Sequence, residues 1–399
     1  VRVLHVSDCY LPRLGGIETH VHDLTAVQRA AGLDVRVLTA TPAAQPGTED
    51  GTEVGVVRLA PRDLLDPRRP GALLRSALEA AEADVVHVHS SVVSPLAWAA
   101  ARQARGLGLP VVATLHSMVR DGAATTGMRR ALGPAVVEGI RWTAVSRVAA
   151  RPLQEALGQP VSVLHNGIQP ALWRPGPHPR PPGAGREVVT LVSALRFARR
   201  KRPHALLRLL AAVRRDVGPH VELRAVLMGD GPMWAAARRR VRALGMAGWV
   251  EMPGRCTREE VRHVLARGDV YLAPARLESF GLAALEARCA GLAVVAFAGS
   301  GVEEFVRPGV EGFLARDDDD MAAVVSRIAA QPEVLAAVRA HNLGTEPAMT
   351  WPQVLRAGLA QYTAAGAPPV VPWPRRVIDL PAGPVHQPGV LAGRSAGGR

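Results

Sequence analysis

Five cations crowd one short stretch of this sequence: Arg196, Arg199, Arg200, Lys201 and Arg202 fall within SALRFARRKRP (193–203), between an apolar run and an amphipathic one. Like charges repel, so a strand-to-helix loop gathers them where an anion relieves the repulsion, a solvated loop being the plainer alternative. Arginine can grip phosphate oxygens with two parallel N–H donors, whereas lysine acts as a point charge; together they suit a diphosphate. Of the 48 basic residues Lys201 is the only lysine. In so arginine-rich a chain, a position needing positive charge alone would have drifted to arginine, so residue 201 favours an ammonium.

A second stretch, LESFGLAALEARCAGLAVVAF (277–297), carries Glu278 at the end of a loop, then Phe280, Gly281 and Leu282 where a helix begins, then Glu286 about two turns along. Free amides at a helix start bind phosphate, and a carboxylate set in an apolar helix among Leu285, Ala287 and Cys289 favours a buried, hydrogen-bonded role over that of a surface residue. Such a carboxylate can accept ribose hydroxyls. Gly15 and Gly16 precede a helix from about Ile17, where bare backbone could approach a phosphate or simply make a tight turn. His116 ends an apolar strand. His5, His87 and His89 read as structural, Cys289 as a small core residue, and Asp317 to Asp320 as a solvated helix N-terminus.

The elements that position these groups repeat a pattern of short apolar run, loop and helical periodicity. Strands are predicted at 1–8, 33–40, 83–90, 109–117, 141–146 and 161–167, and again at 187–195, 221–231, 249–254, 269–275 and 292–299. Strands alternating with helices imply parallel sheets covered on both faces, which bind ligands beyond the carboxyl ends of their strands. Five prolines and three glycines within 174–186 mark a linker. The expected domains are therefore 1–173 and 187–345, followed by a helix at 346–366 and a disordered Pro/Gly-rich tail at 367–399. The net charge of +13 is concentrated in the second half: 18 basic against 15 acidic residues in 1–175, and 30 against 20 in 176–399. Such an excess suits phosphate-bearing molecules, an anionic membrane or nucleic acid. Three scattered cysteines form no metal-ligand spacing and fit a reducing cytoplasm, and no signal peptide or 18-residue apolar span is evident.

Taken in order, Gly-Gly-x-Glu at 15–18, the histidine ending TLH, HNGI at 165–168, Arg196 with Lys201, GDGP at 229–232, and Glu278 with Glu286 resemble the retaining glycosyltransferases of family 4, of GT-B fold. The resemblance spans about residues 1–345 and implies two Rossmann-like domains facing across a cleft. The first would bind the acceptor and the second a nucleotide-sugar donor. It implies that Arg196 and Lys201 hold the donor diphosphate and stabilise the leaving nucleotide. Glu286 would bind ribose, Glu278 would lie beside the transferred sugar, His116 would contact that sugar, and Gly16 would approach phosphate across the cleft. Phe280, Gly281, Leu282 and Gly15 complete the expected donor site, and no metal or cofactor is expected beyond the nucleoside diphosphate sugar. The departures are Ala194-Leu195-Arg196-Phe197 in place of a Gly-Arg-Leu run, Ala293 for a common proline and Ala275 for a common serine.

The expected reaction is transfer of a hexosyl group from a UDP- or GDP-sugar, with retention, to a small-molecule, glycan or lipid acceptor. A GT-B epimerase or phosphorylase is the alternative on the same fold. A basic nucleic-acid-binding protein is the remote one, disfavoured by an aromatic content of 4%. Arginines among apolar groups at 129–151 raise the further expectation of peripheral contact with the anionic inner face of the plasma membrane.

Overall fold

The computed structural model describes residues 1–13, 15–43, 55–59, 71–119, 126–127, 129–130, 132–176 and 188–370. Residues 177–186 of the expected linker and 371–399 of the expected tail lie outside the described residues. The first sheet comprises β1 (Arg2–Ser7), β2 (Asp34–Thr39), β3 (Val56–Arg58), β4 (Val85–Ser90), β5 (Val111–Leu115), β6 (Arg141–Ala144) and β7 (Ser162–Val163), in the order β3-β2-β1-β4-β5-β6-β7. The second comprises β8 (Val188–Ala194), β9 (Glu222–Met228), β10 (Val250–Gly254), β11 (Val270–Ala273), β12 (Ala293–Phe297) and β13 (Gly312–Ala315), in the order β10-β9-β8-β11-β12-β13. Every pairing in both is parallel. This is the doubly wound α/β class that the strand-helix alternation predicts; β3 and β13 are strands that the periodicity does not reveal.

Parallel strands covered by helices on both faces are buried and mostly apolar along their length, and β4, β5, β11 and β12 are buried at every position. The helix Pro203–Val217 turns Leu206, Leu207, Leu210, Val213 and Val217 inward. Each such side chain contributes about 1.5–3 kcal/mol when fully buried. One apolar cluster fills the face of the first sheet under the helices Ala72–Ala80 and Pro95–Gly106, and another fills a face of the second. A third cluster is shared by both domains, joining Leu24 and Val27 to Leu285, Trp351 and Tyr362.

The last helix, Trp351–Ala364, returns to the first domain. Thr350 caps it in a reciprocal box with Gln353. Its Trp351 ring stacks on His20 with centroids 5.6 Å apart and fills the space where Gly167 lacks a Cβ. Near its far end Gln361 accepts from Arg141 at 2.8 Å. Among the described residues no single helix is long and apolar enough to cross a membrane.

Candidate donor site at the cleft

In each sheet the strand order reverses once, between β1 and β4 and between β8 and β11, and a crevice opens at such a switch point beyond the strand ends. In the second sheet the loops bordering it are 195–202 and 274–281, which hold the cationic run and Glu278. The first loop folds back on the Gly229-Asp230-Gly231 turn: Phe197 N–H donates to the Asp230 carbonyl at 2.9 Å, and Met233 N–H to the Phe197 carbonyl at 2.8 Å. A Cβ on Gly229 would meet the Leu195 carbonyl oxygen, which is why glycine stands there, at φ +120°.

The cations divide into two groups. Arg202 adopts a left-handed φ of +56° and is held by a two-pronged pair with Asp318 at 2.9 and 2.7 Å, its guanidinium over Phe297. Asp318 lies in the first turn of the helix Asp318–Ala329, capped by Asp317, so this acidic run is a helix N-terminus with one member neutralising Arg202. Arg202 is thereby removed from the set expected to meet a ligand anion. Arg196, Arg199 and Arg200 are exposed and make no ion pair among the described residues. Lys201 Nζ pairs with Glu278 Oε2 at 2.5 Å, both partly buried.

Glu278 packs against Gly281, the residue capping the helix Leu282–Cys289. Among the described residues the amides of Phe280, Gly281 and Leu282 make no hydrogen bond, so the helix N-terminus has free donors as the anion reading requires. Gly281 stands at φ +91°, where an L side chain is strained, and a Cβ would lie 2.8 Å from Val302 Cγ2. Gly281→Ala is therefore expected to cost about 1–2 kcal/mol and to weaken anion binding by displacing these amides. An unchanged urea midpoint would show the position to be free of strain.

Glu286 is half-buried on the same helix, and among the described residues its carboxylate has no hydrogen-bond or ion-pair partner. Burial pushes its pKa up to about 8, with Arg258 opposing and Asp23 adding to the rise. Glu286 and Glu278 both act electrostatically on the buried Tyr271 phenol, which donates to the Ala194 carbonyl at 3.1 Å.

From the first domain His116 reaches the same loop: Ser279 Oγ donates to its carbonyl at 2.6 Å, and Ser146 Oγ donates to the Ser279 carbonyl at 2.6 Å. Burial pushes its pKa down to about 3, so the ring is neutral at pH 7. Gly15 and Gly16 begin the helix Gly16–Ala30. The Glu18 carboxylate folds over Gly15 into the place of a Cβ and pairs with Arg13 at 3.0 Å. Nothing lies within 4 Å of where a Gly16 Cβ would stand, so that backbone is open. The loop before it feels Arg196 across the cleft, whose charge draws the Cys9 thiol down against a larger rise from burial. A further interdomain contact gave no local sequence signal: Arg258 grips Asp23 at 3.0 Å while lying over Trp173.

His116, Lys201, Glu278 and Gly281 thus meet at one place, with Arg196 on the neighbouring loop and Glu286 further along the helix. Cys289 is core, 3% exposed, and burial pushes its thiol up to about 12. In the stretch behind the membrane expectation the apolar groups turn inward. Val137, Ile140, Trp142, Ala144, Val145 and Ala149 face the core, while Arg147 and Arg151 pair with Glu304 and Glu155.

Two family descriptions match the chain: Glycosyltransferase Family 4 over residues 14–172 and Glycosyl transferases group 1 over residues 180–339. The D-inositol 3-phosphate glycosyltransferase 1 of Catenulispora acidiphila is 28% identical, the match covering 88% of this chain and 91% of that one. A phosphatidylinositol N-acetylglucosaminyltransferase subunit of Arabidopsis thaliana is 29% identical over 82% and 74%. The crystal structure of Anabaena HepE in complex with UDP and glucose superposes with a TM-score of 0.73 at 16% identity, over 91% of this chain and 99% of that one. With matched models on both domains and the same two-sheet architecture, the chain belongs to the family 4 glycosyltransferases of GT-B fold.

Proposed function

We propose that this glycosyltransferase moves a hexosyl group from a UDP- or GDP-sugar to its acceptor with retention at the anomeric carbon and without a metal. The observation that carries the reading is the Lys201–Glu278 pair set against a helix N-terminus whose amides are free among the described residues, beside Arg196, which makes no ion pair among them. As the bond to the sugar breaks, negative charge grows on the leaving diphosphate and positive charge on the ring. Arg196, the Lys201 ammonium and the amides of Phe280, Gly281 and Leu282 oppose the first, and the Glu278 carboxylate opposes the second. Lys201 couples the two, lying between carboxylate and phosphate. No covalent glycosyl-enzyme is invoked. His116 is neutral and so serves as a hydrogen-bonding group toward the sugar rather than as an acid.

The names of the matched relatives carry inositol acceptors, which puts inositol phosphates and phosphatidylinositol first in an acceptor panel, beside glycans and other lipids. We further propose a reducing, cytoplasmic setting, in keeping with three unpaired cysteines.

UDP or GDP is expected to stabilise the protein in the presence of a chelator, by about 2.7 kcal/mol at 100 times its Kd. A thermal-shift panel of UDP, GDP, ADP and TDP and their sugars reads this directly. No shift from any of the four, or a shift that appears only with a divalent cation, would remove the donor site as described. Labelled donor without acceptor then separates transfer from epimerisation, because an epimerase converts the donor alone.

A further inference from the structure

Beneath the cleft floor lie histidines that the proposed chemistry does not use: His5 on β1 and His87 and His89 on β4, each no more than 1% exposed. His87 and His89 are two apart on one strand and so share a face, and His5 pairs with His87 in register. Burial holds all three below the ordinary imidazole range, helped by the neighbouring rings at His87 and His89 and by Arg29 at His5, which is lowered to about 4. At neutral pH each ring therefore carries one N–H and one lone pair.

Their contacts form one unbroken chain with His116 at one end. His116 Nε2 meets His89 Nδ1 at 3.0 Å, His89 Nε2 meets His5 Nδ1 at 2.8 Å, and His5 Nε2 meets Gln28 Oε1 at 2.6 Å. Gln28 Nε2 meets the Tyr362 hydroxyl at 2.9 Å, and that hydroxyl meets His87 Nδ1 at 2.9 Å. His87 Nε2 meets Thr114 Oγ1 at 2.7 Å, Thr114 Oγ1 meets Thr143 Oγ1 at 2.6 Å, and Thr143 Oγ1 donates to the Ala113 carbonyl at 3.3 Å.

Two groups give the chain its sense: the Ala113 carbonyl only accepts, and the Gln28 amide lies with its nitrogen on Tyr362 and its oxygen on His5. Thr143 spends its proton on Ala113, so Thr114 must donate to Thr143 and His87 Nε2–H to Thr114. His87 Nδ1 is then a lone pair, so the Tyr362 hydroxyl donates to it and takes Gln28 Nε2–H in turn. This turns the Gln28 carbonyl oxygen toward His5. His5 Nε2–H donates to it, His89 Nε2–H donates to His5, and His116 Nε2–H donates to His89. Every member is satisfied in this one sense, and Nδ1 of His116 is left with a lone pair and no partner among the described residues.

We propose that this chain sets the tautomer of the cleft histidine: Gln28 and Tyr362 are positioning residues that hold His116 with Nε2 protonated and Nδ1 free to accept a hydrogen bond from a hydroxyl of the bound sugar. Its use toward a sugar rests on the glycosyltransferase reading above; the tautomer itself does not. Tyr362 belongs to the helix that follows the donor domain, so the arrangement also ties that helix to the first domain's side of the cleft. The nitrogens of His5, His87 and His89 lie within 4.8 Å of one another, near enough to surround a divalent cation. Such an ion would have to displace the His5–His89 bond and take lone pairs that already accept protons, with no carboxylate among its ligands to offset a buried charge.

The test is the ring-nitrogen 15N spectrum of the full-length protein labelled at histidine, which separates protonated from bare imidazole nitrogens. His116 is expected to show a protonated Nε2 and a bare Nδ1 throughout the population. Tyr362→Phe removes the hydroxyl that orients Gln28, so the amide can turn over and His116 becomes a mixture of tautomers. Turnover then falls on the order of 10-fold, the size of one hydrogen bond in the transition state, with donor KM changed less. Thr143→Val, which conserves shape and frees the direction at the carbonyl end, gives the same mixture should the Phe variant fold poorly. A protonated Nδ1 on His116 in the parent, or an unmixed tautomer in both variants, overturns the proposal. So does stoichiometric zinc shifting His5, His87 and His89 together, which would make the cluster a metal site. Mixed tautomers with unchanged turnover would leave the chain intact but overturn its role toward the sugar. A protein that binds no nucleotide yet shows the expected tautomer would instead sink the donor reading.

Discussion

Lys201→Met is expected to lower donor-dependent turnover by about 100- to 1000-fold, the range for losing one preorganised group that meets developing charge. Two independent facts converge on this residue: it is the sole lysine of the chain, and its ammonium pairs with Glu278 at 2.5 Å, the two side chains 30% and 18% exposed. Removing it takes away a donor to the diphosphate and leaves a partly buried carboxylate uncompensated. The variant should therefore also lose about 1–3 kcal/mol of stability, which urea unfolding reads separately from rate. Lys201→Arg is the sharper comparison because it keeps the charge but substitutes a planar fork for a compact, rotatable donor. It should keep nucleotide affinity within about an order of magnitude while losing at least several-fold in turnover, because a larger, planar fork does not reproduce the position and donor directions of a compact ammonium between carboxylate and phosphate. An arginine variant indistinguishable from the parent would mean that only charge matters at 201. Normal turnover in Lys201→Met would move the diphosphate contact to Arg196 and its neighbours.

What the sequence made legible follows from how local each signal is. Buried parallel strands are continuous apolar runs, so β1, β4, β8 and β12 stand out. By contrast β3 and β13 are sheet-edge strands whose apolar residues are hemmed in by Gly55 and Arg58 and by Glu311, Gly312 and Arg316, so no apolar run announces them. Glycines ahead of helices marked the candidate anion-binding turns because they are local signals; of these, Gly281 has a positive φ, while Gly15 is extended. The pairing of Arg202 with Asp318, 116 positions away, and of Arg258 with Asp23, 235 away, has no local trace. The cationic loop therefore read as five free charges where the fold neutralises one and ties another to Glu278. His5, His87 and His89 read only as structural, because the partners that give them a direction come from β1, the first helix and the last. Glu286 was legible as a carboxylate in apolar company, and its lack of any partner among the described residues was not.

That lack makes Glu286 the second residue with a large expected effect, and its sign depends on pH. Its pKa stands at about 8 in the folded chain against 4.5 for an ordinary glutamate, chiefly through burial. Below 4.5 both folded and unfolded chains hold the proton. Between 4.5 and 8 the unfolded chain releases it while the folded one keeps it, so stability falls as pH rises and the penalty is complete above about 8. Glu286→Gln removes that slope. Allowing for partial solvent access, it should gain about 1–2 kcal/mol at pH 9 and little at pH 4, a rise in Tm of a few degrees. Nucleotide binding runs the other way. Ribose hydroxyls donate to a carboxylate, so the parent must lose a proton to bind, and its affinity should climb with pH by at most about tenfold per unit until it levels near pH 8. The glutamine variant has no proton to lose and should be flat, weaker than the parent by roughly 10- to 100-fold at pH 9 and closer to it at pH 6. Calorimetric titration of UDP and GDP from pH 6 to 9, with thermal unfolding of both proteins in the same buffers, measures both trends. A parent affinity independent of pH, or a glutamine variant less stable than the parent at pH 9, would mean that this carboxylate is not a ribose acceptor held protonated until the nucleotide binds.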